Sequence, residues 1–168
     1  ESSAASDVYK RQVLANLYGG GMSSRLFQKV REDRGLCYSI FAFAQMMSDT
    51  GVFGVYAGTS EETANEMLKV CAAELTDCLS NIKADELLRS KQQLKASVLM
   101  RLDSVSATMD SLGRHIALFG KAQNKDQLIR SIEAVSIDSL SILTAQIIAG
   151  RPAMAAVGPV RAVMNLSL

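Results

Sequence analysis

Two hydrogen-bond donors, Arg31 and Tyr38, stand seven residues apart in the segment GGGMSSRLFQKVREDRGLCY. Arg31 closes a run with helical periodicity, and Tyr38 opens a run typical of a β-strand. A guanidinium and a phenol at the same end of two adjoining elements can both donate to a carbonyl or to a developing oxyanion. Composition alone favours a structural interpretation, because arginine at a helix C-terminus offsets the dipole and tyrosine is common in strands. The spacing does not decide between the two.

The other reactive side chains lack the spacing that catalytic sites need. His115 is the single histidine, so these 168 residues cannot form an H-E-x-x-H or H-x-x-E-H zinc motif by themselves. Cys37, Cys71 and Cys78 form no C-x-x-C pair; this usage predicts core thiols in a reducing compartment such as the bacterial cytoplasm. The glycines at 19–21 lack the lysine of a phosphate-binding loop and predict a helix end with close backbone approach.

Composition excludes several classes of protein. The chain carries 18 Lys and Arg against 17 Asp and Glu, and 48% of its residues are apolar. This apolar content is enough to build a core, which argues against disorder. The net charge of +1 argues against a nucleic-acid partner held by broad phosphate neutralisation. No apolar run approaches the ~20 residues that span a bilayer, so no membrane segment is expected.

A helix and a β-hairpin must position the two donors. Apolar residues between 26 and 30 recur at helical spacing and predict a helix that ends near Gly35. Residues 37–43 and 52–57 are rich in aromatic and β-branched side chains, and a turn signal lies between them at 48–51. They therefore predict an antiparallel hairpin that begins beside Tyr38.

The rest of the chain predicts helices and one returning strand. Helical periodicity and capping residues indicate five helices. The first begins near Ser60, the next three cover residues 85–102, 109–119 and 128–132, and the fifth begins at Ser136. The apolar run from Ala153 to Val157 predicts a strand that rejoins the sheet. These elements indicate an α+β fold, in which a mixed or antiparallel sheet packs against several helices. No repeat or linker interrupts it, so a single domain is expected.

Residues 1–12, ESSAASDVYKRQ, are small and polar and have no periodicity. They resemble translated sequencing-adapter DNA and are predicted to be an assembly scar. The domain then comprises residues 13–168, and the N-terminus of the natural protein would be missing.

The motifs GGGMSSRLFQKVREDRGLCYSI, SDTGVFGVYAGTSEE, ADELLRSKQQLKASVLM and AAVGPV together resemble the C-terminal half of the pitrilysin/insulinase family of zinc peptidases. The chain is similar in particular to bacterial relatives of the mitochondrial processing peptidase β subunit, over residues 13–160. The resemblance implies a processing-peptidase-like α+β half that is truncated at its N-terminus. Its first strand and part of its first helix would be absent, which would expose a sheet edge.

The resemblance also implies a function shared between two halves. In this family the N-terminal half binds zinc through H-x-x-E-H and a downstream glutamate, and the C-terminal half supplies an arginine and a tyrosine that reach the substrate. Arg31 and Tyr38 match these donors, and Arg34 is a weaker candidate. The implied function is the substrate-binding half of a zinc metalloendopeptidase that cleaves peptides or presequences. This chain would bind no metal, have no catalytic residue and be inactive alone, with its N-terminal partner half in the same chain or in a separate subunit.

Two other functions stay open. Some members of the family have lost catalysis, so the chain could be a non-catalytic structural or partner subunit. A helical interaction module is the third possibility and requires the resemblance to be accidental. The presence of Arg31 and Tyr38 favours the peptidase, since a scaffold has no need of these donors.

Overall fold

The structure, a computed structural model, describes residues 3–46, 50–120, 122 and 124–159. It confirms an α+β fold in which an antiparallel sheet packs against several helices. The elements in chain order are α1 (Ser3–Gly19), a π-helix (Phe27–Glu32), β1 (Ser39–Met46), β2 (Gly51–Gly58), α2 (Glu61–Asp77), α3 (Ala84–Leu102), α4 (Val105–Phe119), α5 (Lys125–Glu133) and α6 (Ile137–Ala149).

Strands β1 and β2 form the antiparallel hairpin that the aromatic and β-branched residues and the turn signal predict. Phe41 lies opposite Tyr56, and the rings stack with centroids 5.1 Å apart. Both residues are exposed, whereas Ile40 is buried in the core. Because successive residues of a strand point to opposite faces, the hairpin turns one face to the helices and presents aromatic rings on the other.

Helix α1 supplies the central part of the core. Val13, Leu14 and Tyr18 are almost completely buried, and the Tyr18 hydroxyl donates a 2.6 Å hydrogen bond to the Cys71 carbonyl on α2. The same cluster includes residues of the π-helix, β1, α3, α5 and α6. Helix α1 begins at Ser3, within the predicted scar, and the assignment of residues 1–12 as an assembly scar stays a prediction.

Two of the three cysteines are core residues, as the sequence predicts, and Cys37 is partly buried against the core. Cys71 and Cys78 are buried, and all three thiols are free. Burial raises the pKa of Cys71 to about 12 and that of Cys78 to about 11. Both thiols are therefore protonated at neutral pH, which makes them poor nucleophiles.

Gly19 marks the place where α1 meets the sheet. A Cβ at this position would lie 2.5 Å from the backbone nitrogen of Ala42 in β1. Because backbone atoms cannot rotate away, we expect Gly19→Ala to lower the free energy of unfolding by about 1–3 kcal/mol, measured by urea denaturation. Gly113→Ala in α4 is the control, since nothing lies near its Cβ position and alanine favours a helix by about 0.5–1 kcal/mol. Destabilisation of equal size in both variants would contradict the close approach.

The predicted strand at Ala153–Val157 is wrong. This segment is described, has no regular secondary structure and is exposed along its length. An apolar run indicates a preference for burial, but a strand also needs a neighbouring edge that accepts its backbone hydrogen bonds. In the described part of the chain the sheet has two strands, β1 and β2, and they pair with each other.

The helices after the hairpin form as predicted, but α4 is not packed as its sequence indicates. Met109, Leu112 and Ile116 follow helical spacing, yet all three side chains are exposed.

Over the described ranges, no single helix is long and apolar enough to cross a membrane; α5 and α6 reach that length and composition only as a pair, which is bent by 83°.

Candidate functional site

Arg31 lies in the last turn of the π-helix, where Leu26 and Val30 anchor the backbone in the core. Its side chain is exposed, and its Cζ lies 4.7 Å from the centroid of the Phe27 ring. Within the described residues, no carboxylate forms an ion pair with Arg31. The core therefore holds the backbone of Arg31, and the Phe27 ring lies against its guanidinium. The N–H donors of the guanidinium are available to a further molecule.

Tyr38 immediately precedes β1. Its backbone N–H donates a 2.7 Å hydrogen bond to the Gly58 carbonyl, which extends the ladder between β1 and β2 by one residue. Its side chain is 87% exposed, among the most exposed large side chains of the described residues. The backbone of Tyr38 is therefore fixed beside β2, and its phenol is open to solvent and to a further molecule.

A short connector joins the two donors. Gly35 has a φ of +61°, and its N–H donates to the Arg31 carbonyl at 3.0 Å. The next residue, Leu36, is buried, its N–H donates to the Val30 carbonyl, and its carbonyl accepts from the Thr59 hydroxyl. A positive φ favours glycine, since a Cβ would strain this conformation. The connector is thus closed by hydrogen bonds on both sides.

The charge of Arg31 influences the thiol of Cys37. Burial raises the pKa of the Cys37 thiol, and the positive charge of Arg31 opposes that rise. Cys37 immediately precedes Tyr38 in the chain.

Arg34 has a different environment. Its guanidinium is half exposed and lies 3.7 Å from the Glu66 carboxylate on α2. Glu66 therefore supplies a counter-charge for Arg34 within the same chain. Arg34 is therefore a suitable control for Arg31, because the two are three residues apart and differ in their partners.

Sequence reasoning missed Arg25. It is only 8% exposed and donates hydrogen bonds to the Asp77 carboxylate, the Glu86 carboxylate and the Asn81 carbonyl. Its partners lie more than 50 residues away in the sequence, so local patterns contain no signal of this network. A cavity of about 580 Å³ opens beside Arg25, and its lining includes neither Arg31 nor Tyr38. The role of Arg25 is to join the N-terminal part of the fold to α2 and α3.

The described side chains do not fit a zinc ion. His115 lies half buried on α4, and across the described ranges no three His, Cys, Asp or Glu side chains are grouped to hold a metal. A structural zinc site takes four such ligands and a catalytic site takes three.

Known proteins are similar to this chain in sequence. Residues 2–94 match the profile of the Peptidase M16 inactive domain. The chain is 35% identical over 150 residues to an uncharacterized zinc protease of Streptomyces coelicolor, covering 89% of this chain and 33% of that protein. It is 34% identical over 157 residues to the uncharacterized zinc protease YmxG of Bacillus subtilis, covering 90% and 37%.

A solved structure extends the likeness to the fold. The peptidase M16 inactive domain from Pseudomonas fluorescens superposes with a TM-score of 0.69 at 21% identity, over 83% of this chain and 34% of that one. The chain spans about a third of the length of the curated relatives it matches. The predicted membership of a zinc-peptidase family is thereby confirmed, and the chain belongs to the family of peptidase M16 inactive domains.

Proposed function

We propose that this chain is the substrate-contacting, non-zinc half of a zinc metalloendopeptidase that cleaves peptides. The observation that carries the proposal is the pair of exposed donors, Arg31 and Tyr38, at the two ends of one hydrogen-bonded connector. Membership of the inactive-domain family and likeness to proteins named zinc proteases support a proteolytic context.

The two donors suit the polar atoms that every peptide carries. A guanidinium has five N–H donors and a tyrosine has one hydroxyl, and both can donate to backbone carbonyl oxygens. The same donors stabilise the negative charge that develops on the carbonyl oxygen during cleavage. We propose that Arg31 and Tyr38 do this for the scissile or an adjacent peptide group. Main-chain recognition of this kind gives affinity without strong dependence on the peptide's sequence.

The zinc ion belongs, in this proposal, to the N-terminal half of the peptidase. That half is either part of the same polypeptide or a separate subunit. The contribution of this chain is to bind and orient the peptide, and to place donors near the oxygen that becomes charged.

The test is reconstitution of the two halves. We expect the chain together with its zinc-binding half to cleave an unstructured reporter peptide, and each half alone to leave it intact. A chelator should abolish cleavage by the assembly, and added zinc should restore it. The control replaces the first histidine of the zinc motif in the other half, which should abolish cleavage without preventing assembly.

The same experiment distinguishes the second function, a non-catalytic partner subunit. In that case the two halves assemble, but the assembly cleaves no peptide at any zinc concentration. Such a result would contradict the proposed peptidase and support a scaffold.

A further inference from the structure

The contact between Arg31 and Phe27 is different from the contacts of the other arginines near it. Arg25 and Arg34 pair with carboxylates, whereas Arg31 lies with its Cζ 4.7 Å from the centre of an aromatic ring. A carboxylate engages the N–H donors of a guanidinium, but a ring engages its face. Contact with Phe27 can therefore fix the position of the Arg31 charge and leave its donors free.

The π-helix fixes the base of this contact. The Asp33 N–H donates to the Gln28 carbonyl at 2.8 Å, a bond that spans five residues instead of the four of an α-helix. Leu26 and Val30, which flank Phe27 and Arg31, have no exposed surface. The two backbone positions that carry the ring and the guanidinium are thus held by the core. Phe27 itself is half buried, so its ring is not needed to fill the core completely.

We propose that Phe27 is a positioning residue for Arg31: its ring holds the guanidinium through a cation–π contact, with the N–H donors presented to the peptide substrate. This inference rests on the proposed function of Arg31. It assigns Phe27 no contact with the substrate. Without the ring, the arginine side chain adopts other rotamers. Ordering this side chain on the substrate then costs conformational entropy, which raises the free energy of the transition state.

The test is a double-mutant cycle in the assembled two-half enzyme, with kcat and KM measured on one reporter peptide. Phe27→Leu keeps an apolar side chain and removes the ring, and we expect kcat/KM to fall by about two- to five-fold. Phe27→Tyr keeps the ring and should retain the original kcat/KM. In the Arg31→Ala background, Phe27→Leu should cause no further loss, because the group that the ring positions is absent.

The outcomes separate this inference from the proposed function. If Phe27→Leu lowers kcat/KM equally in both backgrounds, or if Phe27→Tyr loses as much as Phe27→Leu, the ring has a structural role and the inference is overturned. If Arg31→Ala lowers kcat/KM but Phe27→Leu does not, the inference fails and the proposed function stands. If Arg31→Ala itself has no effect, both fail. Urea denaturation of each variant shows whether a loss of activity follows a loss of stability.

Discussion

Arg31→Ala in the assembled two-half peptidase is expected to lower kcat by about 100- to 1,000-fold, with a much smaller change in KM. The reason is that a donor aimed at developing negative charge acts more strongly in the transition state than in the bound substrate. This factor corresponds to about 2.7–4 kcal/mol of transition-state stabilisation. The fold itself should tolerate the change, because Arg31 is exposed and pairs with no carboxylate in the described part of the chain. Steady-state cleavage of a reporter peptide measures both constants.

Arg34→Ala is the matched control for this prediction. It removes the same chemical group three residues away, where the guanidinium pairs with Glu66 on the surface. We expect kcat and KM within about twofold of the original enzyme, since exposed ion pairs contribute only ~0–1 kcal/mol. Equal losses in Arg31→Ala and Arg34→Ala would indicate a general effect of charge and contradict the specific role of Arg31.

Arg25→Ala is expected to cause the largest loss of stability, about 3 kcal/mol in the free energy of unfolding. The arginine is 8% exposed and lies 2.7 Å from Asp77 and 2.9 Å from Glu86. Its removal leaves two carboxylates together without their shared counter-charge. The lower end of the range for buried pairs applies, because Asp77 is 42% exposed and can be solvated. Urea denaturation at neutral pH measures the difference.

Arg89→Ala is the control for stability. Arg89 pairs with Asp85 four residues earlier on α3, and both side chains are more than half exposed. Removal of this pair should change the free energy of unfolding by no more than about 0.5 kcal/mol. A loss as large as that of Arg25→Ala would contradict the assignment of Arg25 as the joint between elements.

The Arg25 network also predicts a pH dependence. Burial raises the pKa of Glu86, but hydrogen bonds from Arg25 and from the Lys83 backbone outweigh it, so the net pKa lies below the ordinary 4.5. A carboxylate with a lowered pKa stabilises the fold above its unfolded pKa and loses that contribution as pH falls through its folded pKa. The stability difference between the original chain and Arg25→Ala should therefore be constant near neutral pH and shrink below about pH 4.5. A difference that stays constant down to pH 3 would contradict it.

The sequence predicts most elements of this fold because their signals are local. Strand-forming residues on either side of the turn signal at 48–51 indicate a hairpin, and helical periodicity with capping residues indicates α2 to α6. The strand predicted at Ala153–Val157 is wrong for a physical reason, since strand pairing depends on a free sheet edge elsewhere in the chain. The predicted burial of the apolar face of α4 is wrong for a similar reason. The spacing of apolar residues defines that face, but it does not show which element covers it.

The candidate site divides in the same way. Arg31 and Tyr38 are visible because they flank the boundary between two local elements. Phe27 and Arg31 are four residues apart, which is compatible with helical spacing. The spacing alone does not show that the guanidinium contacts an aromatic ring and not a carboxylate. The Arg25 network has no local signal, since its partners Asp77 on α2 and Glu86 on α3 come together only in the folded chain.

The affinity of the assembled peptidase for a phosphinic peptide, which mimics the charged tetrahedral transition state, shows whether Arg31 and Tyr38 contact the oxygen that becomes charged. We predict that Arg31→Ala and Tyr38→Phe each raise its inhibition constant by about the factor by which they lower kcat/KM, while Arg34→Ala leaves the constant unchanged. Inhibition constants that stay the same in Arg31→Ala and Tyr38→Phe would contradict the account, since neither donor would then contact the charged oxygen.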